Sequence, residues 1–229
     1  MLFRSHALLI LLNALDDQRL VRRDTARSGR RRTRLADCNS VKVVSALAPT
    51  SAPQPSPQRA ARVQPSVRLF VALWPGRRVR QALAGCHGGT PWPPGASPTA
   101  SNKLHLTLHY IGSVPVGRVA EVAAALQVPM HVFELRLDVA ECWHGGLAVL
   151  RPRTVPRSMH QLHADLAAAL RPLALPVETQ AFRPHVTIAR RSARTQPVAL
   201  AEPVRWRVAS YALVQSMVDG SYEILRRYL

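Results

Sequence analysis

The chain has 229 residues, 47% of them hydrophobic, enough for one sizeable domain or for two small lobes sharing a core. Lys and Arg number 31 against 13 Asp and Glu, a formal charge of +18 carried almost wholly by Arg. Such a surface favours polyanions, because neutralised phosphates release their counterions, although a GC-rich coding sequence produces the same composition and charge alone assigns no function. Three cysteines, Cys38, Cys86 and Cys142, are odd in number and lack CxxC spacing, which argues against a disulfide framework or a zinc site and fits a reducing cytoplasm.

Residues 1–66 differ in texture from the rest. Their longest apolar run, residues 7–12, follows a single Arg and leads into Asp16-Asp17. It falls short of the roughly 18 residues of a membrane span and lacks a small-residue cleavage site, so neither a membrane anchor nor a secretory signal is expected. The Arg30-Arg31-Arg32 tract, the Pro/Ser/Gln stretch over residues 49–57 and the absence of a sustained apolar period predict a disordered basic extension. It reads as an RNA-binding arm, as an Arg-rich targeting extension that Asp16, Asp17, Asp24 and Asp37 disfavour, or as an artefact of a start codon that truly lies nearer Val67. The last is preferred.

From residue 67 a domain running to residue 229 is expected. Residues 67–74, Val-Arg-Leu-Phe-Val-Ala-Leu-Trp, read as a strand buried on both faces and stopped by Pro75-Gly76. A helix over residues 77–84 and a Gly/Pro loop over 85–98 follow. Next come a strand over 103–111 ending at Gly112, an amphipathic helix presenting Val119, Val122 and Leu126, and strands near 132–139 and 147–150. A further helix over 157–170 would bury Met159, Leu162, Leu166 and Leu170, and Pro172, Pro176 and Pro184 connect it to another strand. Residues 206–217 and 222–229 read as a hairpin turning at Asp219-Gly220.

One pattern occurs twice: His105-Leu-Thr107-Leu and His185-Val-Thr187-Ile. On a strand, alternate side chains share a face, so each copy presents an imidazole and a hydroxyl about 6.6 Å apart and anchors two apolar residues on the other side. Leu69 to His105 is 36 residues and Leu147 to His185 is 38, the spacing of a duplicated strand–helix–strand unit. Two such strands facing one cleft would supply a neutral imidazole to accept a proton and a protonated one to donate it. Their Thr hydroxyls and a nearby Arg would serve the non-bridging oxygens of a phosphate ester. By residue chemistry alone the two histidines are interchangeable.

Rival chemistry is weaker. His105 and His109 have the i, i+4 spacing of half a helical zinc site, but on a strand they stand roughly 13 Å apart, and no Glu accompanies them. His160 and His163, beside the core face of the 157–170 helix, are read as surface or boundary residues, and His131 and His144 as lying near strand ends without partners. Trp74, Trp143 and Trp206 are assigned to the core, and Trp92, in Pro91-Trp-Pro-Pro94, is the candidate for stacking on a base. A basic RNA-binding module without turnover is the rival from a different class.

Four blocks, Arg68-Leu-Phe-Val-Ala-Leu, Leu104-His-Leu-Thr-Leu-His-Tyr-Ile-Gly112, Phe182-Arg-Pro-His-Val-Thr-Ile-Ala-Arg190 and Tyr222-Glu-Ile-Leu, resemble in order the landmarks of the two-histidine (2H) phosphoesterases. The branch they resemble is the LigT-like RNA 2′,3′-cyclic phosphodiesterases, also called 2′-5′ RNA ligases. The first 66 residues have no counterpart there, and Arg227-Tyr-Leu lacks the Pro that often precedes the last Leu. The resemblance implies a bilobal α+β fold, two antiparallel-rich sheets with flanking helices around a central cleft. It implies no metal or other cofactor, and a monomeric enzyme whose partner is RNA ending in a 2′,3′-cyclic phosphate. It further implies His105 as proton donor, His185 as proton acceptor, and Thr107, Thr187 and Arg190 as phosphate ligands; a phosphodiesterase for another cyclic or 2′-5′-linked nucleotide is the alternative. Strict alternation places Arg190 on the face opposite His185, and it likewise gives Tyr110 a core place.

Overall fold

The computed structural model describes residues 64–229 apart from 89, 176–180, 194–199 and 201. The Arg30–Arg32 tract, the 49–57 stretch, Cys38 and Pro176 lie outside the described residues, and the expectations about them with them. In chain order the elements are β1 (Ser66–Leu73), α1 (Arg77–Gly88), β2 (Ser97–Pro98), β3 (Leu106–Pro115), α2 (Val119–Ala125), β4 (Phe133–Leu137), β5 (Val139–Trp143) and β6 (Leu147–Arg151). Then follow α3 (Arg157–Leu170), β7 (Val186–Arg190), β8 (Val204–Val208), β9 (Tyr211–Ser216) and β10 (Tyr222–Tyr228). No helix among the described residues is long and apolar enough to cross a membrane.

The strands form an eight-stranded sheet in the order β10-β9-β1-β3-β7-β6-β5, with β2 on β7, and a separate β4-β8 ribbon, all antiparallel. The two expected sheets are the halves of the larger one, β10-β9-β1-β3 and β7-β6-β5, which meet at a single backbone pair, Leu106 with Val186. The duplicated unit is visible in this order: β1–α1–β3 and β6–α3–β7 each return a strand beside its starting strand, and the two returning strands abut.

Burial follows from the residue pattern. On β1, Leu69, Val71 and Leu73 enter the main core while Phe70 and Ala72 enter a smaller cluster with Ala212 and Val214, so the apolar run is buried on both faces as its sequence requires. The main core takes Leu83 from α1, Val122 from α2, and Met159, Leu162, Leu166 and Leu170 from α3. It also takes Leu135 and Trp206 from the ribbon. The helices and the ribbon therefore back one face of the large sheet, and the other face carries only the small cluster.

Four expectations change. The 206–217 run is two strands in different sheets, separated at Ala209-Ser210: Val204–Val208 alternates buried and exposed as a one-sided ribbon does, whereas residues 211–214 are all buried, as in a strand covered on both sides. β5 is a separate strand where the sequence showed only the tail of its predecessor, because all five of its residues are half-buried at a sheet edge and no alternation marks them. Helix α1 continues to Gly88 into the expected loop. β3 begins at Leu106 after a 3-10 turn at Ser101–Lys103 and runs past Gly112, whose φ of +85° glycine accommodates within the strand.

Helix α2 has no side-chain cap, and a tyrosine from the sheet closes its far end. The Tyr211 hydroxyl donates to the Leu126 carbonyl at 2.7 Å and accepts the Val128 N–H at 3.0 Å, and its ring stacks on Tyr228 at 4.7 Å. Removing that hydroxyl leaves the Leu126 carbonyl with only the Val128 N–H at 3.0 Å, so Tyr211→Phe is expected to destabilise the protein by about 0.5–1.5 kcal/mol in equilibrium denaturation. An unchanged stability would show that the hydroxyl does not satisfy this end.

Candidate active site

The two His-x-Thr segments lie at the seam between the sheet halves. Leu106 and Val186 point into the core from paired backbone positions, both fully buried. Continuing this antiparallel register one residue either way sets His105 across from Thr187 and Thr107 across from His185. All four are half-buried, on the face opposite the helices. The core residues of the motif thus bring its polar residues together.

Each histidine sits just before its strand and is held in the same way. His105 Nδ1 lies 2.7 Å from the Lys103 carbonyl and His185 Nδ1 2.8 Å from the Arg183 carbonyl, two residues upstream in each case. A carbonyl only accepts, so both Nδ1 atoms carry the proton and both Nε2 atoms are left for chemistry.

Strict alternation fails immediately after each threonine. In β3 the register against β1 slips between Thr107 and His109, and in β7 the register against β6 slips between Thr187 and Ala189. Each bulge inserts one residue and leaves two consecutive buried positions, Leu108-His109 and Ile188-Ala189. Parity is thereby inverted, and Tyr110 and Arg190 come onto the histidine face. Tyr110 packs on the Phe70 and Ala72 cluster rather than the main core, and the Arg190 charge is felt by both His105 and His185.

The end of β7 is pinned beyond Arg190. Buried Ser192 directs its N–H and its hydroxyl to the Gly146 carbonyl at 2.9 and 2.8 Å. Gly146 has φ +77°, and a side chain there would come within 2.8 Å of the Ala193 nitrogen, so only glycine fits.

Aromatic rings flank both imidazoles. Trp74 stacks on His105 at 5.4 Å and 8°, with Phe70 at 5.1 Å and Tyr222 edge-on at 5.2 Å. Trp143 lies 4.4 Å from His185, its indole N–H bonded to Glu141, which also pairs with Arg151 at 2.6 Å, and the Arg183 guanidinium covers the indole at 4.2 Å. The core assignment therefore holds for Trp206 and fails for Trp74 and Trp143, while Trp92 packs against the main core. Trp74 lies one residue beyond β1 and Trp143 ends the edge strand β5, where the sheet leaves a flank uncovered. The one sequence sign was that each closes an apolar or alternating run just before a turn.

Burial among these rings is the chief reason that His105 drops from the ordinary value of 6.5 to about 4. The Lys103 carbonyl opposes the shift, while Arg190 and His185 add to it. His185 is lowered too, first by burial, against the pull of the Arg183 carbonyl and with the Arg183 and Arg190 charges adding. Near neutral pH both imidazoles are therefore neutral, beside fixed cations. A phosphate entering it would supply the missing negative charge and favour protonation of one of them.

His105 and His109 are parted by the bulge as well as by distance: His109 is 1% exposed on the core face, where its Nε2–H donates to the His163 carbonyl at 2.8 Å. His163, read as a boundary residue, lies in that same packing. Cys86 and Cys142 are free thiols.

Comparison with known proteins agrees with this geometry. The family model described as the 2'-5' RNA ligase superfamily matches residues 94–220, more than half of the chain. A curated RNA 2',3'-cyclic phosphodiesterase of Geobacillus stearothermophilus is 32% identical over 112 residues, 42% of this chain; the chain spans 33% of that relative's length. The crystal structure of E. coli LigT complexed with 3'-AMP superposes with a TM-score of 0.64 at 26% identity, covering 72% of this chain and 98% of LigT. A Thermus thermophilus protein gives 0.60 at 26% identity, covering 70% and 96%. The matched segments hold both His-x-Thr strands and the seam between them, and the chain belongs to the 2'-5' RNA ligase superfamily, with the LigT-like 2H phosphoesterase fold.

Proposed function

We propose that the chain is a phosphodiesterase that hydrolyses a terminal RNA 2′,3′-cyclic phosphate to a 2′-phosphate by two-histidine acid–base catalysis. The observation that carries this reading is the seam: two His-x-Thr segments joined at one antiparallel pair, each imidazole held through Nδ1 and free at Nε2. The names of the Geobacillus relative and of the LigT complex with 3'-AMP support the substrate class.

In this mechanism His185 Nε2 takes a proton from water as its oxygen attacks phosphorus. The P–O3′ bond breaks, and protonated His105 gives its Nε2 proton to the departing O3′. Thr107 and Thr187 donate hydrogen bonds to the non-bridging oxygens, and Arg190 balances the charge that builds there. The RNA partner is recognised at its end, and the basic surface draws it in.

Incubated with EDTA and a short RNA ending in a 2′,3′-cyclic phosphate, the protein is expected to release a 2′-phosphate. No product from intact protein would sink the assignment, and turnover abolished by chelator would move water activation to a metal. His105→Ala and His185→Ala should each lower kcat by about 10²–10⁴-fold without unfolding the protein, since both residues face away from the core. Near-normal turnover in either variant would remove that residue's role.

A pH profile tests the pair together. The active free enzyme holds one protonated and one neutral imidazole, and both pKa values lie below 6.5. The maximum of kcat/KM is therefore expected below pH 6.5 and should decline toward neutrality. Bound phosphate raises both values, so the kcat profile should lie at higher pH. A profile flat from pH 5 to 8, with chemistry limiting, would count against the pair.

A further inference from the structure

Behind the histidine face, three rings form a continuous stack. His109 of β3 and His163 of α3 lie 4.0 Å apart at 23°, and His163 and Phe182 lie 3.9 Å apart at the same angle. The His109 Nε2 bond to the His163 carbonyl ties the first two together, and His160 approaches Phe182 edge-on at 6.1 Å. His109 Nδ1 is buried without a hydrogen-bond partner, so its neighbours hold this ring by packing rather than by polar pairing on that side.

The stack runs between the two halves of the site. His109 follows Thr107 by two residues, and Phe182 precedes His185 by three. Arg183, next to Phe182, offers the carbonyl that fixes His185 Nδ1. Between β3 and β7 the backbone provides one residue pair, and one pair leaves the angle between two strands poorly restrained.

We propose that the His109–His163–Phe182 stack is a strut that sets His185 relative to His105, with His163 as a positioning residue. For its effect on turnover the inference rests on the function proposed above; for its effect on His185 it does not. The strut requires neutral rings. His163 is faced by His109 from β3 and His160 from its own helix, with uncharged Phe182 on the other side. Burial, and then those two histidines, hold His163 down to about 4, and burial lowers His109. Both pKa values lie below the unfolded 6.5, so the stack's contribution is complete above that pH. It is lost as pH falls from about 6.5 toward 4, when a proton on one ring would face its neighbour's charge or buried surface.

The test is imidazole NMR on the full chain, free of substrate, together with kinetics on the cyclic-phosphate RNA. His163→Ala should move the His185 ring resonances more than those of His105 and lower kcat by about tenfold to hundredfold with little change in KM. His163→Phe keeps the stack without the charge. It should restore both readouts and make the loss of stability between pH 6.5 and 4 shallower by the share of His163 alone, because His105, His109 and His185 are lowered as well. Phe182→Leu, which keeps apolar volume but removes the ring, should resemble His163→Ala and decides the matter if the alanine variant fails to fold. Unmoved His185 resonances in the folded members of this set, or no rescue by His163→Phe, would overturn the strut. A wild-type protein without turnover would defeat the proposed reaction, and the resonances would still decide the strut.

Discussion

One antiparallel backbone pair, Leu106 with Val186, holds the two halves of the large sheet together, and the site depends on it. Antiparallel register relates the two strands by a local two-fold, so one pairing exchanges the members of the two motifs: each histidine lies across from the other motif's threonine. The pairing residues are fully buried, and the hydrophobic burial that joins the halves therefore also aims the polar groups.

The sheet divides labour between its faces. Helices and the β4-β8 ribbon cover one side, and the other keeps only Phe70, Ala72, Ala212 and Val214 with a rim of larger rings. Two matching bulges, one in β3 and one in β7, move Tyr110 and Arg190 onto the open side while putting two adjacent residues into the core. The result is a surface where imidazoles, hydroxyls and a guanidinium stand together. Neutral histidines beside a fixed cation form an anion-selective arrangement, in keeping with a chain of net charge +18.

The local symmetry stops at the backbone. His105 lies among Phe70, Trp74 and Tyr222, whereas His185 lies beside Trp143 and under the influence of Arg183. Two chemically identical side chains with identical tautomers thus stand in different surroundings, and such a difference is what separates the roles of an otherwise equivalent acid–base pair.

Much of this was legible in the residue order. The repeated His-x-Thr pattern, the equal strand–helix–strand spacing, the doubly buried first strand and the α3 core face of Met159, Leu162, Leu166 and Leu170 are all carried by local periodicity, which depends on neighbours two, three or four residues away. What local periodicity cannot carry is an interruption of itself: the bulges that turned Arg190 and Tyr110 to the open face arise from register against β6 and β1, which only the paired strands define. The same holds for Trp74 and Trp143, whose apolar bodies fit a core by composition and were left to line the site because the sheet ends beside them. It holds too for the stacking of His109, His163 and Phe182, residues up to 73 positions apart. Residue order names the groups able to do the chemistry, and strand pairing selects which of them share a face, because side-chain direction on a strand follows from local alternation only until pairing with another strand inserts a residue.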